Sequence, residues 1–258
     1  MRFAIVAWLS CAACRFDFDA RTSDGSVARD TPVGDSARDA YYDAVMADHP
    51  VAYWRLGDRA EVAKDELAAH DALFSGGFTE GQTGALVASS NSATAFDGAT
   101  GEAQTTHAIS FPNQQPFTVE IWVDETTQIY EHYLTCEPRV LGMPQDGYAL
   151  LQSGSGVMFE RIPNPGQYDQ TDTAVIPVDT WTHLAGVYDG TTITLYIDGI
   201  AHQTAPAPEP ADDFDSPVFL GAHVEGAYFA GSLDEAAVYD SALTEAQLAN
   251  HYKIATGN

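Results

Sequence analysis

The stretch WTHLAGVYDGTTITLYIDGIAH, residues 181–202, decides the fold class of this chain. Residues 181–188 have the composition of a strand, and residues 192–197 alternate apolar and polar side chains, as half-buried strands do. The dipeptides Asp189-Gly190 and Asp198-Gly199 follow these two segments. Each predicts a two-residue hairpin turn, because Asp and Gly tolerate positive φ. The stretch therefore predicts three consecutive antiparallel strands.

Strand patterns continue on both sides of this stretch. Residues 117–123, FTVEIWV, alternate strictly and place four apolar side chains on one face. A short helical turn is predicted at residues 41–46, and a C-terminal helix follows the capping-box pair Thr244 and Gln247. Short strands separated by Gly, Asp and Pro turns predict an all-β sandwich or barrel. The remaining strands are predicted at residues 52–56, 93–96, 147–152, 157–162, 218–222 and 229–239.

The first 40 residues differ in composition from the rest. Residues 1–14 combine a basic start, an apolar run and a small-residue exit, which is typical of a secretory signal peptide. Ala12-Ala13-Cys14 resembles the cleavage box of bacterial lipoproteins, although Cys11 stands where that box usually has an aliphatic residue. Two outcomes stay open: lipidation at Cys14, giving an outer-membrane or cell-surface lipoprotein of a bacterium, or ordinary secretion. Residues 15–40 are predicted to form a flexible acidic linker, and residues 41–258 one folded domain.

The charge balance excludes two classes of partner. The chain has 11 Lys and Arg residues against 37 Asp and Glu, a formal net charge of −26. Nucleic acid and anionic membranes are not expected to bind, because no basic surface can displace their counterions. Contact with a membrane is expected only through a lipid anchor. Two interpretations of the acidity stay open: a solvated surface, or carboxylates that in part bind a divalent cation such as calcium.

Several segments together resemble the laminin-G-like jelly-roll domain of the concanavalin A-like lectin/glucanase superfamily. The resemblance runs from about Asp48 to Tyr252, in the family's order. It implies an all-β, two-sheet antiparallel jelly-roll sandwich with short N- and C-terminal helical segments. It also implies a partner that is a glycan or a surface protein, often with calcium as a cofactor at the rim of the sandwich. The matching segments are residues 47–58, 81–86, 96–98, 117–123, 181–199 and 231–239.

Three carboxylates are candidates for calcium ligands. Asp65 and Asp97 lie in turn-like sequence, where backbone carbonyls could complete a coordination shell, and Asp234 lies in the last long strand. The alternative for each is a structural role: Asp97 precedes Gly98 as turn residues do, and Asp234 could accept backbone hydrogen bonds. Family members often have a further acidic residue shortly after the Phe-Asp-Gly segment, and this chain lacks it there.

The same sandwich supports glucanases, so an enzyme has to be considered. Glycoside hydrolysis needs two carboxyl groups that flank one bond, and such glucanases carry acids at alternate positions of one strand. Here Glu120, Trp122 and Asp124 share a face, and the Trp in the middle matches the non-catalytic pattern. The eight histidines show no zinc-ligand spacing, and no nucleophile elbow is present. The sequence therefore predicts a protein that is not an enzyme.

Aromatic residues in loops are the candidates for ligand contacts. The family resemblance places Trp54, Trp122 and Trp181 in the framework, whereas loops carry function on such scaffolds. The predicted function is a secreted or surface-anchored, lectin-like carbohydrate-binding module, assisted by calcium. A protein-interaction or adhesion module and, third, a glycoside hydrolase stay open as alternatives. The candidate ligand-binding side chains are Tyr130, Tyr133, Tyr168, Phe214 and Tyr228.

Overall fold

The computed structural model describes residues 39–57, 61–138, 146–223 and 227–258. They form two packed antiparallel sheets and two helices, α1 (Ala40–Ala47) and α2 (Glu245–Thr256). Neither helix in these ranges has the length and apolar character that a bilayer span needs. The strands, in chain order, are β1 (Ala52–Trp54), β2 (Val62–Ala63), β3 (Ala72–Ser75), β4 (Phe78–Thr83), β5 (Ser92–Asp97), β6 (Glu102–Thr105), β7 (Phe117–Glu125), β8 (Tyr130–Cys136), β9 (Gly147–Ser153), β10 (Val157–Asn164), β11 (Gln167–Gln170), β12 (Thr182–Tyr188), β13 (Thr192–Ile197), β14 (Ile200–Pro206), β15 (Phe219–Leu220) and β16 (Ala230–Tyr239).

Each sheet has eight strands. Sheet 1 has the order β14-β13-β12-β7-β16-β5-β4, with β1 also paired to β16. Sheet 2 has the order β11-β10-β9-β8-β15-β6-β3-β2. Both sheets are antiparallel throughout, and strands distant in sequence are neighbours in each sheet, as in a jelly roll. The predicted two-sheet sandwich with a helical segment at each end is therefore confirmed.

The meander predicted from residues 181–202 is present as β12, β13 and β14. Asp198 and Gly199 have φ values of 52° and 75°, which a tight hairpin turn between β13 and β14 requires. The first turn differs from the prediction, since three residues separate Tyr188 from Thr192. Its geometry is held by the Asp189 carboxylate, whose Oδ1 accepts the N–H groups of Thr191 and Thr192, both at 2.8 Å.

The core lies between the sheets and uses the predicted face of β7. Phe117 stacks on Phe111 with ring centroids 4.7 Å apart and meets Phe159 of sheet 2 edge-on at 6.0 Å. Cys136 is a buried free thiol, as expected, and burial raises its pKa to about 12. A thiol with so high a pKa carries almost no thiolate near neutral pH and is unreactive.

The outer face of sheet 1 is covered by both helices. Trp122 donates its indole N–H to the Tyr41 hydroxyl at 3.0 Å, and its ring stacks on Tyr252 of α2 at 5.8 Å. The cap of α1 is the Asp39 side chain, which accepts the N–H of Tyr42. The predicted capping box opens α2, where the side chains and backbone groups of Thr244 and Gln247 bond reciprocally. These contacts seal one outer face of the sandwich.

Candidate functional site

The outer face of sheet 2 carries no helix in the part of the chain that the structure describes, because α1 and α2 both pack on sheet 1. Register identifies the side chains that share this face. Glu160 pairs across the strands with Ala149, Ala149 with Thr135, and Thr135 with Phe219. The neighbouring row pairs Met158 with Leu151 and Leu151 with His132. Directly paired residues in antiparallel strands point to the same face.

A β-bulge in β8 decides which side chains reach this face. The ladder to β9 shifts by one residue between His132 and Leu134, so Tyr133 is the extra residue. A bulge reverses the alternation of side chains that follow it. As a result Tyr133 and Leu134 both contribute to the core, while His132 and Glu137 lie on the outer face together.

A group of polar side chains sits at the centre of this face. The His132 and His223 rings stack with centroids 4.4 Å apart and an interplanar angle of 26°. Nε2 of His223 lies 3.1 Å from Oε2 of Glu137, and Nε2 of His132 lies 3.1 Å from the Tyr130 hydroxyl. We call this group the outer site and define it by Tyr130, His132, Glu137, Glu160, Tyr168 and His223.

The polar groups of the outer site are buried but incompletely satisfied. His132, Glu137 and His223 are 0%, 1% and 2% exposed. Nδ1 of both histidines and Oε1 of Glu137 have no hydrogen-bond partner within the chain. Unsatisfied buried polar atoms are rare and cost free energy, so a group of them calls for a functional explanation.

Burial and neighbouring charges shift the pKa values of several groups in the outer site. Burial, with the negative charge of Glu137, raises the pKa of Glu160 to about 7. Burial, with Glu160, Glu137 and Tyr168 as neighbours, raises the pKa of Tyr130 to about 12. Burial and the neighbouring His223 lower the pKa of His132 well below its usual value, so His132 is neutral at physiological pH. Perturbed groups gathered in one place are typical of functional sites.

Two of the predicted ligand-binding aromatics belong to the outer site. Tyr130 and Tyr168 are 51% and 50% exposed, from β8 and β11 respectively. Tyr130 packs edge-on against His132 at 5.2 Å. Tyr228 is half-buried and bridges to Ala222, next to His223 in sequence. Their role in binding stays a prediction, and the structure places Tyr130 and Tyr168 where aromatic faces reach solvent.

The expectation that Tyr133 and Phe214 are exposed is wrong. Tyr133 is fully buried because its ring faces the core between the sheets, and its hydroxyl donates to Glu125 at 2.6 Å. Phe214 is 9% exposed because its loop folds back onto the core, where its ring meets Tyr148 at 6.1 Å. Both side chains pack the interior of the sandwich, so neither offers a surface to a ligand.

The three carboxylates predicted as calcium ligands have other partners. Both carboxylate oxygens of Asp65 accept backbone N–H groups, four in total, including Tyr53 at 2.9 Å and His70 at 2.9 Å. Oδ1 of Asp97 accepts three N–H groups in the turn that follows it. Asp234 accepts from the Ala85 N–H at 2.8 Å and from the Asn91 side chain.

These contacts do not fit a calcium ion. Calcium binds oxygen ligands directed at the metal, whereas these oxygens are directed at N–H donors that the ion would have to displace. Within the described ranges, no group of three or more His, Cys, Asp or Glu side chains is arranged to hold a metal. Asp65, Asp97 and Asp234 therefore act as structural acceptors in this structure.

Comparison with known proteins places the fold. Residues 97–249, more than half of the chain, match the family model Laminin_G_3, Concanavalin A-like lectin/glucanases superfamily. The chain belongs to this superfamily. A search of curated proteins found no match.

Several solved structures have a similar fold. Domain 4 of AbnA, a GH43 extracellular arabinanase from Geobacillus stearothermophilus solved with arabinotriose, has a TM-score of 0.63 at 16% identity. That match covers 79% of this chain and 98% of the other. The binding domain of Paraclostridial Mosquitocidal Protein 1 has a TM-score of 0.61 at 15% identity. That match covers 78% of this chain and 52% of the other. The binding domain of botulinum neurotoxin DC, solved with SialylT, has a TM-score of 0.59 at 9% identity. That match covers 81% of this chain and 52% of the other. At such identities the likeness concerns the fold alone, and the chain spans about half of the two toxin chains.

The concanavalin A-like superfamily includes glucanases, so the acids of β7 were the candidates for catalysis. Glu120 has no exposed surface, because α2 covers it. One of its oxygens accepts from the Tyr239 hydroxyl, and the other lies 3.2 Å from His183 and 3.1 Å from His251. Burial works to raise the pKa of Glu120, but His251 and His183 hold it well below its usual range. Glu120 is thus a buried structural anion that cannot reach a substrate.

Proposed function

We propose that this chain is a lectin-like module that binds glycans without catalysing their hydrolysis, and that the outer site is its binding surface. One observation carries the proposal: unsatisfied buried polar atoms of His132, Glu137 and His223 lie beside the half-exposed rings of Tyr130 and Tyr168. Sugar rings present apolar faces and many hydroxyl groups. Binding sites that combine a few placed polar groups with aromatic surfaces match both features.

The comparisons support this proposal. Two structures of similar fold were solved as complexes, domain 4 of the arabinanase AbnA with arabinotriose and the botulinum neurotoxin DC binding domain with SialylT. The fold is also found in sialidases, such as that of Trypanosoma rangeli, of which this chain covers 32%. Fold alone therefore does not decide between binding and catalysis, and the site has to.

The arrangement of acids supports a role without catalysis. The candidate acids of β7 are not available as a pair, since Glu120 is sealed under α2. The outer site has its own carboxylates, Glu137 and Glu160, so turnover has to be tested there as well. Release of reducing sugar from arabinan or a β-glucan, lost in Glu160→Gln, would contradict the non-enzymatic part of the proposal.

We further propose that the module is secreted or held at a bacterial cell surface by its N-terminal region. The supporting observation is the sequence of residues 1–40, which lies almost entirely outside the described residues, as does Cys14. Metabolic labelling with a palmitate analogue, compared between the parent and Cys14→Ala, tests the anchor. Calcium is not part of the proposal, because the three predicted ligands do not fit it, and it stays a prediction from the sequence.

One observation favours a second function, contact with a surface protein. Ile129, Val175 and Val178 are 54%, 76% and 42% exposed, on two loops joined by the 2.6 Å bond from Gln128 Nε2 to the Ile176 carbonyl. Exposed apolar side chains on neighbouring loops are found at protein interfaces. Binding to a protein partner that is lost in Val175→Ser but kept in Tyr168→Ala would favour this function.

A glycan array probed with the full-length chain tests the main proposal. We expect binding to a restricted set of oligosaccharides, weakened at least about tenfold by Tyr168→Ala, since aromatic anchors dominate such contacts. Ile200→Ala is the matched control, because Ile200 is 64% exposed on the edge strand of sheet 1. No binding to any glycan, or equal losses in both variants, would contradict the proposal.

A further inference from the structure

The charges of the outer site point to one class of ligand. We propose, as a step that rests on the proposed function, that the outer site selects neutral sugars that donate hydroxyl groups and rejects sugars that carry a carboxylate. The juxtaposition that supports this is Glu137 and Glu160 on one face, with an unsatisfied oxygen on Glu137. Glu160 shares the outer face with Thr135 through the β8-β9-β10 ladder, and Glu137 follows Thr135 on that same face beside His223.

The acceptors in the site match hydroxyl donors. A carboxylate only accepts hydrogen bonds, and one carboxylate can accept from two adjacent hydroxyls of a sugar ring. Oε1 of Glu137 is buried and has no donor in the chain. Oε2 of Glu160 accepts from the Gln170 side chain, which fixes the carboxylate from the β11 side. A uronate or sialate carboxylate placed here brings another acceptor and a like charge.

Among the residues that the structure describes, no lysine or arginine belongs to the outer site. His132 is neutral, because burial and its neighbour lower its pKa. Nε2 of His223 lies 3.1 Å from Oε2 of Glu137, so this imidazole faces an acid of the chain itself. The described lysines and arginines lie outside the outer site. Three of them form ion pairs, Arg55 with Glu235, Lys64 with Asp71, and Arg161 with Asp169, and Lys253 lies in α2. The Arg161 guanidinium also lies over the ring of Tyr188.

The charge of the whole chain acts in the same direction. A formal net charge of −26 produces a negative potential that slows the approach of anions and leaves neutral ligands unaffected. Like charges brought together in a binding site weaken affinity strongly, by roughly 100-fold or more. Neutral ligands meet neither barrier. Site chemistry and long-range field therefore favour the same ligand class.

Matched oligosaccharide pairs test the inference on the full-length chain. Each neutral oligosaccharide is immobilised beside the same molecule with one C6 hydroxymethyl oxidised to a carboxylate, and dissociation constants are compared. We expect the neutral member to bind roughly 100-fold more tightly. Glu137→Gln and Glu160→Gln should each reduce that ratio at least about fivefold. Glu245→Gln, an exposed acid in the first turn of α2, is the control that removes one charge elsewhere.

The outcomes separate the two proposals. Equal or tighter binding of the oxidised member, lost in Tyr168→Ala, would overturn the inference and leave glycan binding intact. A ratio that stays unchanged in both glutamine variants would overturn it too. Absence of binding to either member would overturn the proposed function together with the inference. Thermal melts of Glu160→Gln and Glu245→Gln confirm that the compared proteins are folded.

Discussion

Raising the pH should strengthen glycan binding at the outer site, because Glu160 ionises in the physiological range. Burial raises the pKa of Glu160 to about 7, so this side chain is a neutral acid below that pH and a carboxylate above it. A hydroxyl group donates a stronger hydrogen bond to the carboxylate than to the acid. The groups that face Glu160 are Glu137, Tyr130 and Gln170 of β11, together with His223 from the segment after β15.

The magnitude follows from the difference between the two kinds of hydrogen bond. A hydrogen bond to a charged group is worth about 1.5–3 kcal/mol, against about 0.5–1.5 kcal/mol for a neutral one. The gain of about 1 kcal/mol on ionisation of Glu160 corresponds to roughly fivefold tighter binding. By linkage, the bound state then holds fewer protons than the free state near pH 7, so binding releases a fraction of a proton.

Isothermal titration of a neutral oligosaccharide, selected on the array, measures both quantities. Dissociation constants at about pH 5.5 and about pH 8.5 give the affinity change, and two buffers with different ionisation heats give the proton release. Glu160→Gln removes the titrating group and should flatten the profile, whereas Glu245→Gln should keep it. An affinity independent of pH in the parent, or the same pH profile in Glu160→Gln, would refute the reasoning.

Four further outcomes are expected from the rest of the fold. His251→Ala should lower the free energy of unfolding by about 3 kcal/mol in urea, because it removes one of the two imidazoles that pair with the buried Glu120 carboxylate. Equal losses for this variant and for Glu120→Gln with His251→Ala would contradict the pairing. Gly186→Ala should lower the free energy of unfolding by about 1–3 kcal/mol, since the new Cβ would lie 2.3 Å from the ring of Phe159 across the core. A second change, Phe159→Leu, should restore part of that loss. Burial raises the pKa of Glu131 to about 8, so the folded state disfavours the ionised form of this side chain. The free energy of unfolding should therefore fall as the pH rises from about 5 to about 8, by up to about 1.4 kcal/mol per pH unit. Thermal melts of Glu131→Gln at several pH values should show a smaller slope. A chelator should change the melting temperature by less than about 1 °C, because N–H donors occupy the oxygens of the predicted calcium ligands. A larger shift that added calcium reverses would support a calcium site after all.

The sandwich could be predicted from sequence because its signals are local. Alternation along β7 and β13, and the turn chemistry of Asp198-Gly199, need no knowledge of distant partners. The capping box at Thr244 fixed the start of α2 for the same reason. The turn at Asp189 was predicted one residue too short, since its side chain hydrogen bonds to the following backbone stabilise a longer connection.

The outer site could not be predicted in this way, because its members come from separate parts of the chain. His132 and Glu137 lie in and after β8, Glu160 in β10, and His223 after β15. The histidines are scattered in sequence, and only folding stacks two of them at 4.4 Å. The nearest sequence signal was an acid within the apolar run of residues 157–162, VMFERI, where an unpaired charge needs an explanation.

The bulge at Tyr133 explains how the outer site is assembled. Strict alternation from His132 places Leu134 outward and Glu137 inward, which would bury a carboxylate in the apolar core. The extra residue reverses the order after Tyr133, so that Leu134 packs inward while Glu137 meets His223 on the outer face. This backbone irregularity therefore brings Glu137 to the same face as His132 and His223. Bulges are over-represented beside functional sites, because they redirect side chains within a sheet.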